Sequence, residues 1–212
     1  MKTNPSKPVV FVIDDDHDLC RSLKWLLESV NLSVQIFTSS INFLETFKPI
    51  PSGCILLDIR MPLMSGLQLQ EQLNRRQNTL PIIFMTGHGD IPMAVRAMKA
   101  GAFDFLTKPF NDQVILEQIQ KAIVQHQKNI IDDSQLHLIQ ERYNSLSHRE
   151  HEVLELIVAG KLNKIIASEL NISMKTVELH RGNVMRKMQA ATAPELVKFY
   201  LSVKKEAERN SS

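Results

Sequence analysis

The stretch VVFVIDDD, residues 9–16, decides the fold. Its apolar residues, Val9 to Ile13, run without a polar interruption and then stop at Asp14, Asp15 and Asp16. A continuous apolar run, unlike an alternating one, reads as a strand buried on both faces of a parallel sheet. The same signature recurs three times. CILL (Cys54 to Leu57) stops at Asp58, PIIFMT (Pro81 to Thr86) ends on Thr86, and DFLTKP (Asp104 to Pro109) ends on Lys108 and Pro109. Open α/β sheets bind ligands at the carboxyl ends of their strands, so these carboxylates, one hydroxyl and one ammonium are expected at a single rim. Clustered carboxylates do not all stay ionised without a cation, and such a rim invites a hard divalent metal such as Mg²⁺. A metal beside an aspartate, a lysine and a hydroxyl suits the handling of a phosphoryl group.

Outward from those runs, strand and helix patterns alternate. Leu19, Leu23, Leu26, Leu27 and Val30 recur at helical spacing, VQIF (34–37) reads as a strand, and Ile41, Leu44 and Phe47 mark a second helix. Leu67 and Leu73 mark a third, IPMAVRAMKA a fourth, and Ile115, Ile119 and Ile123 a fifth. Five β-α units between Val9 and about Gln125 predict a parallel sheet with right-handed crossovers and helices on both faces. Residues 127–145 lose the rhythm and read as a partly helical linker, with Asp132–Asp133 in a turn or at a helix cap. Residues 146–205 are helical throughout. Ser147 followed by Glu150 is a capping box, and Val153, Leu154, Ile157 and Val158 form the buried face of the helix it opens.

The bulk numbers exclude several classes. The 212 residues are 43% hydrophobic and 23% charged, an ordinary globular composition with no apolar stretch long enough for a bilayer. The start MKTNPSKP has no apolar signal region, so a cytoplasmic protein is expected, without a membrane partner. Cys20 and Cys54 have no metal-ligand spacing and read as small buried hydrophobes. Residues 1–140 hold 13 Lys and Arg against 14 Asp and Glu, and residues 141–212 hold 12 against 9. The basic excess in the smaller C-terminal part hints at nucleic acid.

The N-terminal unit resembles a response-regulator receiver domain, the phosphoacceptor half of bacterial two-component systems, which implies a flavodoxin-like (βα)5 fold over residues 8–126. The likeness rests on Asp14–Asp15, Asp58 with Met61–Pro62, Thr86, and Lys108–Pro109, in that order at successive strand ends. It implies Asp58 as the phosphoacceptor. Asp15 and Asp58 would bind Mg²⁺ together with the backbone carbonyl of Arg60, and Asp14 would support that shell. Lys108 would pair with a phosphoryl oxygen, and Thr86 would hydrogen-bond one and move on phosphorylation. Phe105 stands at the family's aromatic switch position; as Phe rather than Tyr, it would switch sterically. The Lys108–Pro109 bond is expected cis. Plainer readings also exist. Asp16 is expected to cap the first helix with Asp18 in its first turn, and His17 and His88 to be loop residues, His88 near enough to Thr86 to bear on phosphoryl lifetime.

NKIIASELNISMKTVELHRGNVMRKM reads as helix, turn, helix. Ile166, Ala167 and Leu170 face inward. Asn171 sits where a turn wants positive φ, Ser173 is an N-cap, and Val177, His180, Val184 and Met188 line the core side. The opposite surface carries basic and hydrogen-bonding groups suited to a major groove. With LSHREHEVLELI, Gly160, Asn163 and Lys164, this block is similar to the LuxR/NarL-type four-helix DNA-binding domain, with Asn171 where the family usually has Gly. Lys164, Lys175, Thr176, Glu178, Leu179, Arg181, Gly182 and Lys187 are the candidate DNA contacts. Gly182, poor inside a helix, would allow close backbone approach.

Together the halves resemble FixJ-type response regulators, MTGHGDIPMAVRAMKAGAFDFLTKPF especially. The implied function is a DNA-binding transcriptional regulator, phosphorylated at Asp58 by a sensor histidine kinase and dimeric on promoter DNA when phosphorylated. RNA polymerase is a further candidate partner. Such a protein is no enzyme beyond self-phosphotransfer and autodephosphorylation. The rival is a haloacid-dehalogenase-like, Mg-dependent phosphohydrolase with Asp14 as nucleophile in Asp14-x-Asp16, whose further acidic pair would have to be Asp132–Asp133.

Overall fold

The structure is a computed structural model that describes residues 7–48, 50, 52–87 and 91–209. The chain divides into two compact units between Ile130 and Ile131.

The N-terminal unit alternates strands and helices: β1 (Val9–Ile13), α1 (His17–Ser29), β2 (Ser33–Phe37), α2 (Ser40–Thr46), β3 (Gly53–Asp58), α3 (Gly66–Arg75), β4 (Ile82–Thr86), α4 (Ile91–Lys99), β5 (Asp104–Thr107) and α5 (Asp112–Asn144). The sheet is parallel in the order β2-β1-β3-β4-β5, as expected. Because strand side chains alternate faces, each central strand feeds two cores. Phe11, Ile13, Ile55, Leu57 and Phe84 meet Phe43 of α2, Leu69 and Leu73 of α3 and Ala97 of α4. Val10, Val12, Cys54, Leu56, Ile83 and Met85 meet Leu23 and Leu27 of α1 and Ile115, Ile119 and Ile123 of α5. Every residue of β3 is buried, which explains its lack of alternation. Cys20 and Cys54 are free and buried, as expected.

Residues 127–144, expected as a partly helical linker, are helical throughout and belong to α5, a helix of 33 residues, and the division between the two units falls within them. No Gly or Pro interrupts residues 112–144, so nothing local stops the helix once nucleated. Asp132 and Asp133, expected in a turn or cap, are exposed inside it.

The C-terminal unit adds α6 (His148–Val158), α7 (Asn163–Glu169), α8 (Met174–Met188) and α9 (Ala193–Arg209). Leu146, Val153, Leu154, Ile157, Ile166, Val177, Val184, Met188 and Leu196 form its core, with Ile139 and Tyr143 packed against it. Ser147 and Glu150 make the expected capping box, Asn171 has φ 51°, and the Ser173 side chain caps α8 by accepting from the Thr176 N–H. Val177, Val184 and Met188 are fully buried, whereas His180 is half-buried.

Candidate functional site

At the carboxyl rim of the sheet the structure brings Asp14, Asp58 and Lys108 together. Asp14 follows β1, Asp58 ends β3, and Lys108 follows β5. The Lys108 Nζ donates to Asp14 Oδ2 at 2.6 Å and to Asp58 Oδ1 at 2.5 Å. Asp58 Oδ2 accepts the Arg60 N–H at 2.6 Å, and Asp14 Oδ1 accepts the Asp16 N–H at 3.0 Å. Both carboxylates are therefore buried yet hydrogen-bonded on each oxygen, the condition under which such groups persist inside a protein. The Lys108–Pro109 bond is cis, and the Lys108 N–H donates to the Thr86 carbonyl at 2.7 Å, tying the lysine to the end of β4.

Burial pushes the Asp58 carboxyl above the ordinary carboxylate range; Lys108 pulls it down, while the charge of Asp14 pushes it further up. Burial works against the charge of Lys108, but its hydrogen bonds to Asp14 and Asp58 prevail and raise its pKa. The cluster thus holds an ammonium firmly charged next to a carboxylate kept basic, a combination suited to nucleophilic attack on an anionic group. Burial raises the Cys20 thiol to about 11 with help from Asp14, and Cys54 to about 12, so neither is a reactive thiolate.

The other expected site residues fall around this centre. Asp15 is exposed beside it, lining a cleft of about 770 Å³ with Arg60, Met61, Pro62 and Arg96. The carboxylates do not close into one cage: among the described residues, no three acidic, histidine or cysteine side chains are grouped to hold a metal by themselves. Thr86 is buried and its Oγ1 donates to the Gly87 carbonyl at 3.2 Å. Phe105 is 41% exposed, its ring outward. Asp16 caps α1, accepting from the Asp18 and Leu19 N–H groups, which lower its pKa. That role removes Asp16 from the Asp-x-Asp pair of a phosphohydrolase, and the placement of Asp132–Asp133 inside α5 removes the further acidic pair. His88 lies outside the described residues.

Gly66 is a site residue that motif reading missed. A Cβ there would meet the Asp58 carbonyl oxygen at 2.1 Å, so only glycine lets the start of α3 pack on the strand end that carries Asp58. The signal was present as the glycine ending RMPLMSG.

In the C-terminal unit, Lys175, Glu178, Leu179 and Gly182 are exposed on α8, and Thr176 and Arg181 half-exposed. Lys164 is exposed on α7. The Thr176 hydroxyl is already 2.8 Å from Ser173 Oγ. Lys187 departs from expectation: its Nζ donates to Glu150 Oε2 at 2.7 Å and to the Ser145 carbonyl at 3.1 Å. It is committed inside the domain rather than offered to a phosphate. Among the described residues no helix is long and apolar enough to cross a membrane.

Comparison with known proteins covers both units. The family model described as response regulator receiver domain matches residues 10–120, and that described as bacterial regulatory proteins, luxR family, matches residues 144–200. The chain is 46% identical over 197 residues to the transcriptional regulatory protein FixJ of Azorhizobium caulinodans, spanning 93% of each chain. It is 44% identical over 190 residues to the response regulator protein TodT of Pseudomonas putida, spanning 90% of this chain and 84% of TodT. Among solved structures, the response regulator StyR superposes with a TM-score of 0.80 at 42% identity, over 92% of this chain and 98% of StyR. Full-length FixJ from B. japonicum superposes with a TM-score of 0.60 at 41% identity, over 94% and 98%.

Proposed function

The chain belongs to the two-component response regulators, as a transcriptional regulator with a receiver domain and a luxR-family DNA-binding domain, and from that premise we propose that a sensor histidine kinase phosphorylates Asp58 and that this phosphorylation controls promoter binding. The observation that carries the proposal is the Lys108 ammonium held between Asp14 and Asp58 at the sheet rim.

Asp58 attacks the phosphorus of a phosphohistidine, an O–P bond forms as the P–N bond breaks, and the imidazole leaves with the bonding pair. Lys108, already charged and within reach, exchanges a carboxylate oxygen for a phosphoryl oxygen and offsets its charge. Thr86, buried at the neighbouring strand end, donates its hydroxyl to the phosphoryl group. Phe105 lies two residues before Thr107, the cross-strand partner of Thr86, and so on the same face of β5, where its exposed ring is placed to respond when Thr86 moves. Attack by water on the acyl phosphate resets the site, and no other substrate is turned over.

Receiver domains bind Mg²⁺ at the phosphorylation site. The hard oxygens here fit that ion: Asp15, Asp58 and the Arg60 carbonyl would hold it, with Asp14 supporting them, leaving part of the coordination shell to water and phosphate. When bound, the ion supplies neutralising charge to the phosphoryl group.

The exposed face of α8, with Lys164 on α7, reads DNA in the major groove. One small helix-turn-helix domain contacts too few phosphates and bases for strong specificity, so the phosphorylated chain acts as a dimer on two half-sites. RNA polymerase is its partner at the promoter, and the cytoplasm its location.

The test is Mg²⁺-dependent labelling with a small acyl phosphate, trapping by borohydride and mass spectrometry, coupled to footprinting on genomic DNA. Label on Asp58 that strengthens a footprint is the expected result. Label on Asp14 or Asp16, or labelling that persists in Asp58→Asn, overturns the assignment.

A further inference from the structure

We propose that Glu150 and Lys187 are positioning residues for the DNA-reading helix, holding α8 in the orientation that distinguishes one sequence from another. The inference rests on the DNA-binding reading above and extends it to two residues that face away from the groove.

Glu150 is 4% exposed in the first turn of α6. Its Oε2 accepts from the Ser147 N–H at 2.7 Å and from Lys187 Nζ at 2.7 Å. Lys187 lies in the last turn of α8, next to the buried Met188, and its Nζ also donates to the Ser145 carbonyl at 3.1 Å. One ion pair therefore joins the end of α8, the N-cap of α6 and the residue that follows α5. Each charge sits at the helix end whose dipole favours it, an anion at the start of α6 and a cation at the end of α8. Burial disfavours the Glu150 carboxylate, yet the hydrogen bonds from Lys187 and Ser147 prevail and hold its pKa below the ordinary glutamate value.

Such a tie fixes geometry more than it adds stability. Glu150 is buried while Lys187 is 30% exposed, so removing the lysine strands a buried carboxylate and the pair tolerates few arrangements. At the opposite end α8 is anchored by the Ser173 cap. With both ends tied, Glu178, Leu179 and Gly182 keep a constant presentation to a groove. Base readout depends on that presentation, whereas phosphate attraction does not.

Simple electrostatics predicts the opposite sign. Glu150→Gln removes a negative charge from a DNA-binding domain, which by charge alone tightens binding to any DNA. Positioning predicts weaker binding to a preferred sequence only.

The experiment selects a duplex from a randomised pool with wild-type chain, then measures binding of Glu150→Gln, Lys187→Met and Lys187→Arg to that duplex and to a random-sequence one. Circular dichroism and thermal melting establish that each variant is folded. The first two variants are expected to lose about tenfold or more on the selected duplex, the loss of a charge-assisted hydrogen bond, and to hold the random duplex unchanged with an unaltered salt slope. Lys187→Arg, which keeps the pair, is expected to recover most of the selectivity. If Glu150→Gln unfolds, Lys187→Met and Lys187→Arg decide the matter. Equal losses by Lys187→Met on both duplexes with a salt slope lower by about 1 would make Lys187 a phosphate contact and overturn the proposal. So would a folded Glu150→Gln that binds the selected duplex as tightly as wild type. A wild-type chain that selects no sequence overturns the DNA-binding reading itself.

Discussion

Lys108 donates to Asp58 at 2.5 Å across fifty positions of chain. The same ammonium reaches Asp14, ninety-four positions away. The rim of the sheet thus carries a three-residue charge cluster assembled from three strand ends. Its chemistry and its stability oppose each other.

Asp58→Asn should abolish phosphoryl labelling and raise the thermal midpoint at pH 7. The Asp58 carboxyl is raised by burial, so its ionised form is harder to keep in the folded state than in the unfolded one. The folded state then binds more protons, and wild-type stability from this group grows as pH falls. The gap between variant and wild type should narrow on acidification toward the raised value. A midpoint below wild type at pH 7 would contradict this.

Thr86→Ala should fold and accept phosphate but respond poorly to it, measured as phosphate-dependent DNA binding. Leu57→Ala, at a fully buried position, should instead lose about 2–5 kcal/mol of stability. Lys108→Ala belongs with the destabilising changes, because it leaves Asp14 and Asp58 buried without their shared cation. Wild-type switching in Thr86→Ala would remove Thr86 from the mechanism.

Lys164→Ala and Lys175→Ala should each weaken binding to all sequences alike and lower the salt slope by about 1. Substitutions at Glu178, Leu179 and Arg181 should change which sequence is preferred. Titrations on selected and random duplexes at several salt concentrations check both, and equal losses on the two duplexes for all three would mean that α8 presents another face.

Gly182→Ala should raise the thermal midpoint. A Cβ built at Gly182 meets nothing within 4 Å, so the change carries no steric penalty inside the domain and gains helix propensity of up to about 1 kcal/mol. A lower midpoint would reveal a constraint on the α8 backbone within the protein.

Acid should weaken the C-terminal unit through Glu150. Its folded-state pKa is lowered, so its contribution is fully present above the ordinary glutamate value of 4.5 and is lost as pH falls through the lowered one. Melting curves should show wild type converging on Glu150→Gln across that window, whereas a constant gap down to low pH would show that the carboxylate contributes nothing.

The strands, the rim residues and the caps were legible in the sequence because each is local. An apolar run either ends in a polar group or does not, Ser147 and Glu150 are three residues apart, and Asn171 needs only its own φ. The continuous α5 was also legible, in the absence of Gly and Pro from residues 112–144, but that signal was masked where the apolar period fades. Tertiary structure alone decided which charges meet. Asp14, Asp15 and Asp16 are neighbours of one type, yet one pairs with Lys108, one lies exposed and one caps a helix. Lys187 looks like any other basic residue of α8 until the fold brings Glu150, thirty-seven positions away, against it. Periodicity places a side chain on a face of its own element; only the packing of elements sets what stands opposite it.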